Sequence, residues 1–247
     1  MRKNLDLYMN KPDTKVVILT LTNSCNLSCS YCYESHKDAR TMRYDTAIEI
    51  IEKEMGADDA TRFVCLYYFG GEPFLEFDTI RRIHAYMQGK MWPKGWFAFT
   101  TTNGTLIHGE IQDWLRENAD TIEVFLSVDG SSEMQNRNRS DSYSQIDLAY
   151  FRDEYPFAKM TVTPETLPEL ASGVIELHER GFEVSANLGY GVNWSEDCPE
   201  ILTGQLSALM DYYLAHPHTK PATMMNLAIM DINPVSQVLK RFCVWMG

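Results

Sequence analysis

Three cysteines fall within eight residues, in the run Thr22-Asn-Ser-Cys25-Asn-Leu-Ser-Cys29-Ser-Tyr-Cys32-Tyr33. Three thiolates on so short a loop can wrap one cuboidal iron–sulfur cluster. A 4Fe–4S cluster held by four cysteines has no free iron, whereas three cysteines leave one iron open to an outside ligand. A structural zinc site asks instead for paired cysteines or cysteine–histidine pairs. His36, four residues past Cys32, makes a Cys3His zinc site arithmetically possible, but the spacing differs from that of the common zinc folds. Cys65, inside a β-prone run, reads as a small buried apolar residue. Cys198 and Cys243 carry no assignment.

Other residue groups of unusual composition recur along the chain: Phe69-Gly-Gly-Glu-Pro-Phe74, Thr101-Thr-Asn-Gly-Thr105, and Leu126-Ser-Val-Asp-Gly130 followed by Asn136-Arg-Asn-Arg139. Each comes just after a run of β-prone residues. Strands are expected over 15–22, 62–69, 96–101, 121–127, 157–162 and 182–188. Helical spacing marks 45–55, a helix capped by Asp78 with Ile80, Ile83 and Met87 on one face, a helix carrying Ile107, Ile111, Trp114 and Leu115, a helix over 169–180 closed by Gly181, and one over 201–214. The polar stretch 131–144 reads as a loop, and the chain from Pro221 onward is ambiguous. Alternating strands and helices imply a parallel sheet with right-handed crossovers. Six such units suit an α/β partial (β/α)6 barrel better than a flat sheet, two forms that periodicity alone does not separate. In such folds functional groups gather at the C-terminal strand ends, so the four groups would meet at one mouth. The expected organisation is a lead-in over 1–14, the barrel over 15–215 and a C-terminal segment over 216–247.

Bulk properties narrow the function classes. The chain has 247 residues, 45% hydrophobic, with 22 Lys and Arg against 34 Asp and Glu and a net charge of −12. An acidic chain lacks the broad footprint of nucleic-acid binding. No run approaches the roughly 20 apolar residues of a membrane span, and the charged N-terminus has no apolar core behind it. A cytoplasmic protein without a disulfide framework is expected.

The C-x3-C-x2-C spacing, with Tyr31 before the third cysteine, resembles the signature of the radical S-adenosylmethionine (SAM) superfamily. The Gly-Gly-Glu-Pro, Thr-Asn-Gly and Ser-Val-Asp-Gly…Asn-Arg segments resemble that superfamily's motifs after the second, third and fourth strands, in order, over roughly 15–190. The resemblance implies a 4Fe–4S cluster on Cys25, Cys29 and Cys32, with SAM bound at the open iron and cleaved to a 5′-deoxyadenosyl radical that abstracts hydrogen. It implies that Gly70 and Gly71 allow close approach to the methionine end of SAM, that Glu72, in the motif with Pro73, meets its ammonium, and that Tyr31 or Tyr33 packs near adenine. Ser127 and Asp129 suit the ribose hydroxyls or the carboxylate, Arg139 the carboxylate, and Asn103 and Asn187 the ribose or adenine. No catalytic side chain is assigned. His84, His108, His178, His216 and His218 are expected in surface or capping roles.

The wording of the motifs is similar to that of the peptide-modifying branch, which includes anaerobic sulfatase-maturating enzymes and peptide maturases with a cysteine-rich SPASM or twitch extension. Arg241-Phe-Cys243-Val-Trp-Met-Gly247 resembles the entry to such an extension, with glycine four rather than three residues after the cysteine. A peptide or protein substrate and a one-electron donor such as flavodoxin or ferredoxin are implied. The alternatives are a radical SAM enzyme acting on a small molecule or nucleoside, and an iron–sulfur protein serving electron transfer or regulation.

Overall fold

The computed structural model describes residues 12–34 and 37–225. Six strands form one parallel sheet in the order β1-β2-β3-β4-β5-β6, the order of the chain itself. They are β1 (Thr14–Thr22), β2 (Phe63–Gly70), β3 (Gly95–Thr102), β4 (Ile122–Ser127), β5 (Phe157–Val162) and β6 (Glu183–Leu188). The helices are α1 (Tyr44–Gly56), α2 (Phe77–Gln88), α3 (Glu110–Glu117), α4 (Ser132–Asn138), α5 (Leu148–Glu154), α6 (Leu170–Glu179) and α7 (Cys198–Ala215). Among the described residues β1 does not pair with β6, so the sheet stays open, as a partial (β/α)6 barrel does.

Alternation along each strand gives the sheet two different faces. On one, Val17, Leu19 and Leu21 of β1, Val64, Leu66 and Tyr68 of β2, and Ile122, Val124 and Leu126 of β4 join Ala47, Ile51 and Met55 of α1 and Ile80, Ile83 and Met87 of α2 in the main core. On the other, Cys65, Tyr67, Phe97 and Phe99 form a second cluster, with Phe63, Phe69 and Phe125 packed against it. Tyr67 stacks on Phe99 at 4.4 Å, and Phe125 sets its edge against Phe99 at 6.2 Å and Phe157 at 5.2 Å. An aromatic floor thus crosses β2 to β5. It packs the concave side with large rings, each such pair adding about 0.5–1.5 kcal/mol beyond area burial.

The six expected strands are all present within a residue or two of their expected ends. Gly181 closes α6 with φ +92, its N–H donating to the carbonyl of His178 while Phe182 N–H donates to Leu177, a glycine C-terminal stop. Three expectations are corrected. Glu76, not Asp78, precedes α2, and Asp78 sits inside the first turn, where it pairs with Arg81. The stretch 131–144 is not a loop throughout: Ser131 caps α4 by accepting from Met134 N–H, and α4 buries Met134, Gln135 and Asn138. The expected surface role of His84 also fails. It is buried in α2, its Nε2 2.8 Å from the Thr121 hydroxyl and its ring set edge-on to Trp96 and Trp114; burial lowers its pKa to about 4. Helix α5 was not anticipated. Cys65 is buried as expected. His36, Cys243 and the extension-like C-terminus lie outside the described residues.

Candidate functional site

The cysteine loop leaves the sheet at an irregularity in the β1–β2 register between Thr20 and Thr22, and Thr22 bridges back to Thr41. Neighbouring loops then hold it from two sides. On the β2 side, Gly71 N–H donates to Thr22 O at 3.0 Å and Glu72 N–H to Ser24 O at 2.9 Å. On the β4 side, Ser30 N–H donates to the Asn138 carbonyl at 2.9 Å and Ser28 N–H to the Ser140 hydroxyl at 2.8 Å. Ser140, with its neighbour Asp141, sits in left-handed backbone, φ 54 and 52. Two consecutive non-glycine residues there store strain of order 1–3 kcal/mol each, of the kind that gathers at ligand clamps.

The approach of the loop to β2 explains the paired glycines. A Cβ on Gly70 would lie 2.5 Å from Thr22 O, and one on Gly71 2.3 Å from Ser24 O. The sequence reading tied these glycines to a bound ligand; the crowding atoms are backbone atoms of the cysteine loop itself.

Glu72 is buried at the junction of β2 and β3. Its Oε1 accepts from Phe74 N–H at 3.1 Å and Thr102 Oγ1 at 2.8 Å, and its Oε2 accepts from Asn103 N–H at 2.8 Å. Burial outweighs these bonds and pushes its carboxyl up to about 7. Pro73 opens the 3-10 turn Pro73–Glu76 from its first position, where its missing N–H is not needed. Asn103 turns its amide toward the cysteines, Nδ2 donating to Asn26 Oδ1 at 2.9 Å and lying 3.9 Å from Cys25 Sγ.

Asp129 is fully buried and fully engaged. Its Oδ1 accepts from Arg139 Nη2 at 3.0 Å and Thr161 N–H at 2.8 Å; its Oδ2 accepts from the Tyr31 hydroxyl at 2.8 Å and Asn138 Nδ2 at 3.2 Å. Arg139 Nε also lies 2.9 Å from Oδ2, in ion-pair range but off the hydrogen-bond direction. The guanidinium covers the Tyr31 ring at 5.2 Å. Burial works against this cation, and Asp129 more than offsets it, so the Arg139 pKa is raised. Expected to meet the ribose hydroxyls or the carboxylate of SAM, the Asp129 side chain spends its four bonds tying the cysteine loop, α4 and β5 together.

These elements enclose a cleft of about 270 Å³ above the aromatic floor. Of the residues singled out in the sequence, Cys25, Cys29, Cys32, Tyr31, Tyr33, Gly70, Gly71, Glu72, Asn103, Ser127, Arg139 and Asn187 line it, whereas Pro73 and Asp129 stand behind its wall. Tyr33 is 70% exposed at the rim. The sequence reading missed Tyr67, Phe69, Lys159 and Thr161, which also line the cleft. Their signal was strand alternation: Lys159 shares a face of β5 with Phe157 and Thr161, and a charge at an inward barrel position is a visible anomaly.

The donor set suits a cuboidal cluster. The three half-buried thiols open on one cleft, yet among the described residues no three His, Cys, Asp or Glu side chains converge as a single ion would require. A cube spreads its irons, while tetrahedral zinc draws its ligands to one point. Burial raises the thiol pKa of Cys25 and of Cys29. Leu27 N–H donates to Cys25 Sγ at 3.4 Å, the kind of bond that tunes cluster potential.

Residues 19–202 match the radical SAM superfamily. An uncharacterized protein of Methanocaldococcus jannaschii is 34% identical over 116 residues, 47% of this chain and 39% of that one. A cysteine-type anaerobic sulfatase-maturating enzyme of Clostridium perfringens is 31% identical over 156 residues, 56% of this chain and 40% of that one. The chain thus spans about two-fifths of the length of these relatives. Among solved structures, native anSMEcpe with bound AdoMet and Kp18Cys peptide superposes with a TM-score of 0.71 at 21% identity, covering 85% of this chain and 62% of the other. Streptococcus suis SuiB bound to precursor peptide SuiA gives 0.59 at 16% identity, covering 86% and 49%. The structural likeness is one of fold, and the sequence match extends over most of the chain: it belongs to the radical SAM superfamily of enzymes, which work with a 4Fe–4S cluster and SAM.

Proposed function

We propose that this chain is the SAM-cleaving core of an enzyme that takes a hydrogen atom from a peptide or protein side chain. The observation that carries the reading is the convergence of three thiols and the ends of β2 to β6 on one cleft. Cys25, Cys29 and Cys32 would hold three irons and leave the fourth open. When bound, the reduced cluster and SAM supply a 5′-deoxyadenosyl radical.

The chain's own residues then position and shield. Gly70, Gly71 and Glu72 present backbone to the methionine end of SAM, with the Glu72 carboxylate fixing that segment rather than reaching far into the cleft. Ser127 offers a hydroxyl and Arg139 a cation pre-oriented by Asp129. Tyr31 and Tyr33 offer rings beside adenine, and Asn103 and Asn187 amide groups. The aromatic floor excludes water from below, protecting a reactive species from solvent. A one-electron donor of the flavodoxin or ferredoxin class would reduce the cluster.

The peptide reading draws on the sulfatase-maturating relative and on the peptide-bound neighbours. It is tested by deuterium transfer. The reconstituted, reduced protein is given SAM and a perdeuterated peptide digest, and the 5′-deoxyadenosine is weighed. Deuterium in that product supports the reading. Deuterium acquired only from a small-molecule fraction would overturn it.

A further inference from the structure

The two halves of the cleft differ in chemistry. Toward β2 it is aromatic, with Tyr67, Phe69 and the rim ring of Tyr33. Toward β5 and β6 it is polar, with Thr161, Asn187 and Lys159. Three cations line this space; Lys37 donates to the Leu27 carbonyl, while Arg139 and Lys159 are in opposite situations. Arg139 is neutralised by Asp129. Lys159 has no hydrogen-bond or ion-pair partner for its ammonium among the described residues. Burial, and secondarily the like charge of Arg139, lowers its pKa. In the sheet register its neighbours are Ser127 on β4 and Ser185 on β5's other side in β6, hydroxyls that cannot balance a charge.

A half-buried cation without a counter-ion is costly to keep unless something else balances it. A hydrophobic residue at this inward position would pack against Phe157 and cost less. The cleft therefore presents an ammonium that neither of its lining carboxylates, Glu34 or Glu72, is bonded to, and that is open to an anion from outside.

Two carboxylates could meet it: that of SAM, or one on the substrate. Arg139 decides between them. It is a cation already oriented by Asp129, and the reading above gives it the carboxylate of SAM, so the unpartnered ammonium of Lys159 is left to the substrate.

We propose that Lys159 is the specificity residue of the cleft, its ammonium receiving a carboxylate of the substrate, either an acidic side chain or a chain-terminal carboxylate, while the aromatic half receives apolar parts of the same molecule. The inference rests on the peptide-substrate reading above and sharpens it to an acidic peptide.

Chemical protection of the native side chain tests this without a mutation. The reconstituted holoprotein is acetylated anaerobically with a sulfo-N-hydroxysuccinimidyl ester, and the rate at Lys159 is read by peptide mass spectrometry against exposed Lys53 on α1. Three conditions are compared: SAM alone, SAM with acetyl-Gly-Glu-Gly-amide, and SAM with acetyl-Gly-Gln-Gly-amide. At about ten times its Kd the glutamate peptide slows Lys159 about tenfold, because only the free fraction reacts, while SAM alone and the glutamine peptide change it less than about twofold. Full protection by SAM alone would overturn the proposal by assigning the carboxylate to SAM. Equal protection by the two peptides, or none by either, would overturn it as well. In Lys159→Met the two peptides should bind alike; a persisting preference for the glutamate peptide counts against the proposal. Formation of 5′-deoxyadenosine by the same sample separates a failure of this inference from a failure of the radical SAM reading.

Discussion

The two walls of the cleft are built by different means. The wall at the ends of β1, β2 and β3 is held by backbone: Gly71 and Glu72 N–H groups on Thr22 and Ser24 carbonyls, and Asn103 N–H on the Glu72 carboxylate. The wall at β4, β5 and β6 is made of side chains on regular strands, with Ser127, Lys159, Thr161 and Asn187 reaching inward. Backbone clamps tolerate few residue types, because a single Cβ can collide with a carbonyl. Side chains on a regular strand can be exchanged without moving the strand. The first construction fixes the geometry of the cysteine loop; the second lets the lining of the cleft vary without moving a strand.

Substitutions in the first wall should accordingly do the most damage. Gly71→Ala places a Cβ 2.3 Å from Ser24 O, so the cysteine loop must move. Iron in the reconstituted protein should fall from about four per chain to nearly none. Full iron loading in this variant would break the contrast between the walls.

Asp129→Asn should come next. It removes the counter-ion of buried Arg139 and weakens the bonds from Thr161, Asn138 and Tyr31. Loss of one partner of a buried pair costs about 3–5 kcal/mol, to be read from urea unfolding of the cluster-free protein. A cost below about 1 kcal/mol would place this pair with surface ion pairs.

Glu72 makes a pH prediction. Burial raises its carboxyl to about 7 from an ordinary value of 4.5. Between those values the folded chain holds a proton that the unfolded chain has released, so this group favours folding below about 4.5, and that contribution is lost as pH rises through about 7. The whole effect is worth about 3 kcal/mol. Stability curves of Glu72→Gln against the parent should differ in slope only inside that window; parallel curves would contradict the assignment.

The smallest effect is expected on the second wall. Lys159→Met removes a desolvated charge without a partner and should leave stability unchanged or raise it by about 1 kcal/mol. A loss of 2 kcal/mol or more would mean that Lys159 is structural. It would also erase the difference between the walls.

That difference also governs what the sequence made readable. The cysteine loop, Gly70-Gly71-Glu72 and Asn103 could be recognised because backbone clamping forces particular residues at particular spacings. Strands β1 to β6 were readable as β-prone runs, those of β2, β3, β4 and β6 closed by a glycine turn. Helix α4 was obscured because its seven residues are almost all polar and its hold comes from Ser131 at its start and from Gln135 and Asn138 bonded to Asp129. The bonding of Asp129 to Arg139, Tyr31, Asn138 and Thr161 was not legible because it depends on residues up to 98 positions away. Lys159 passed unnoticed although alternation along β5 puts it on the face of Phe157 and Thr161, because that face is assigned only once the strand is set in the sheet. The reason for the glycine pair was legible only in part: the close approach was expected, but its partner proved to be the cysteine loop.

One measurement bears most directly on the central claim. The protein is reconstituted anaerobically with iron and sulfide, reduced, given SAM and assayed for 5′-deoxyadenosine, beside Cys25→Ala, Cys29→Ala and Cys32→Ala. Formation of 5′-deoxyadenosine by the parent, abolished in each of the three variants, is the predicted result. A parent that assembles its cluster and binds SAM without cleaving it, or a Cys29→Ala variant that cleaves SAM as the parent does, would contradict it.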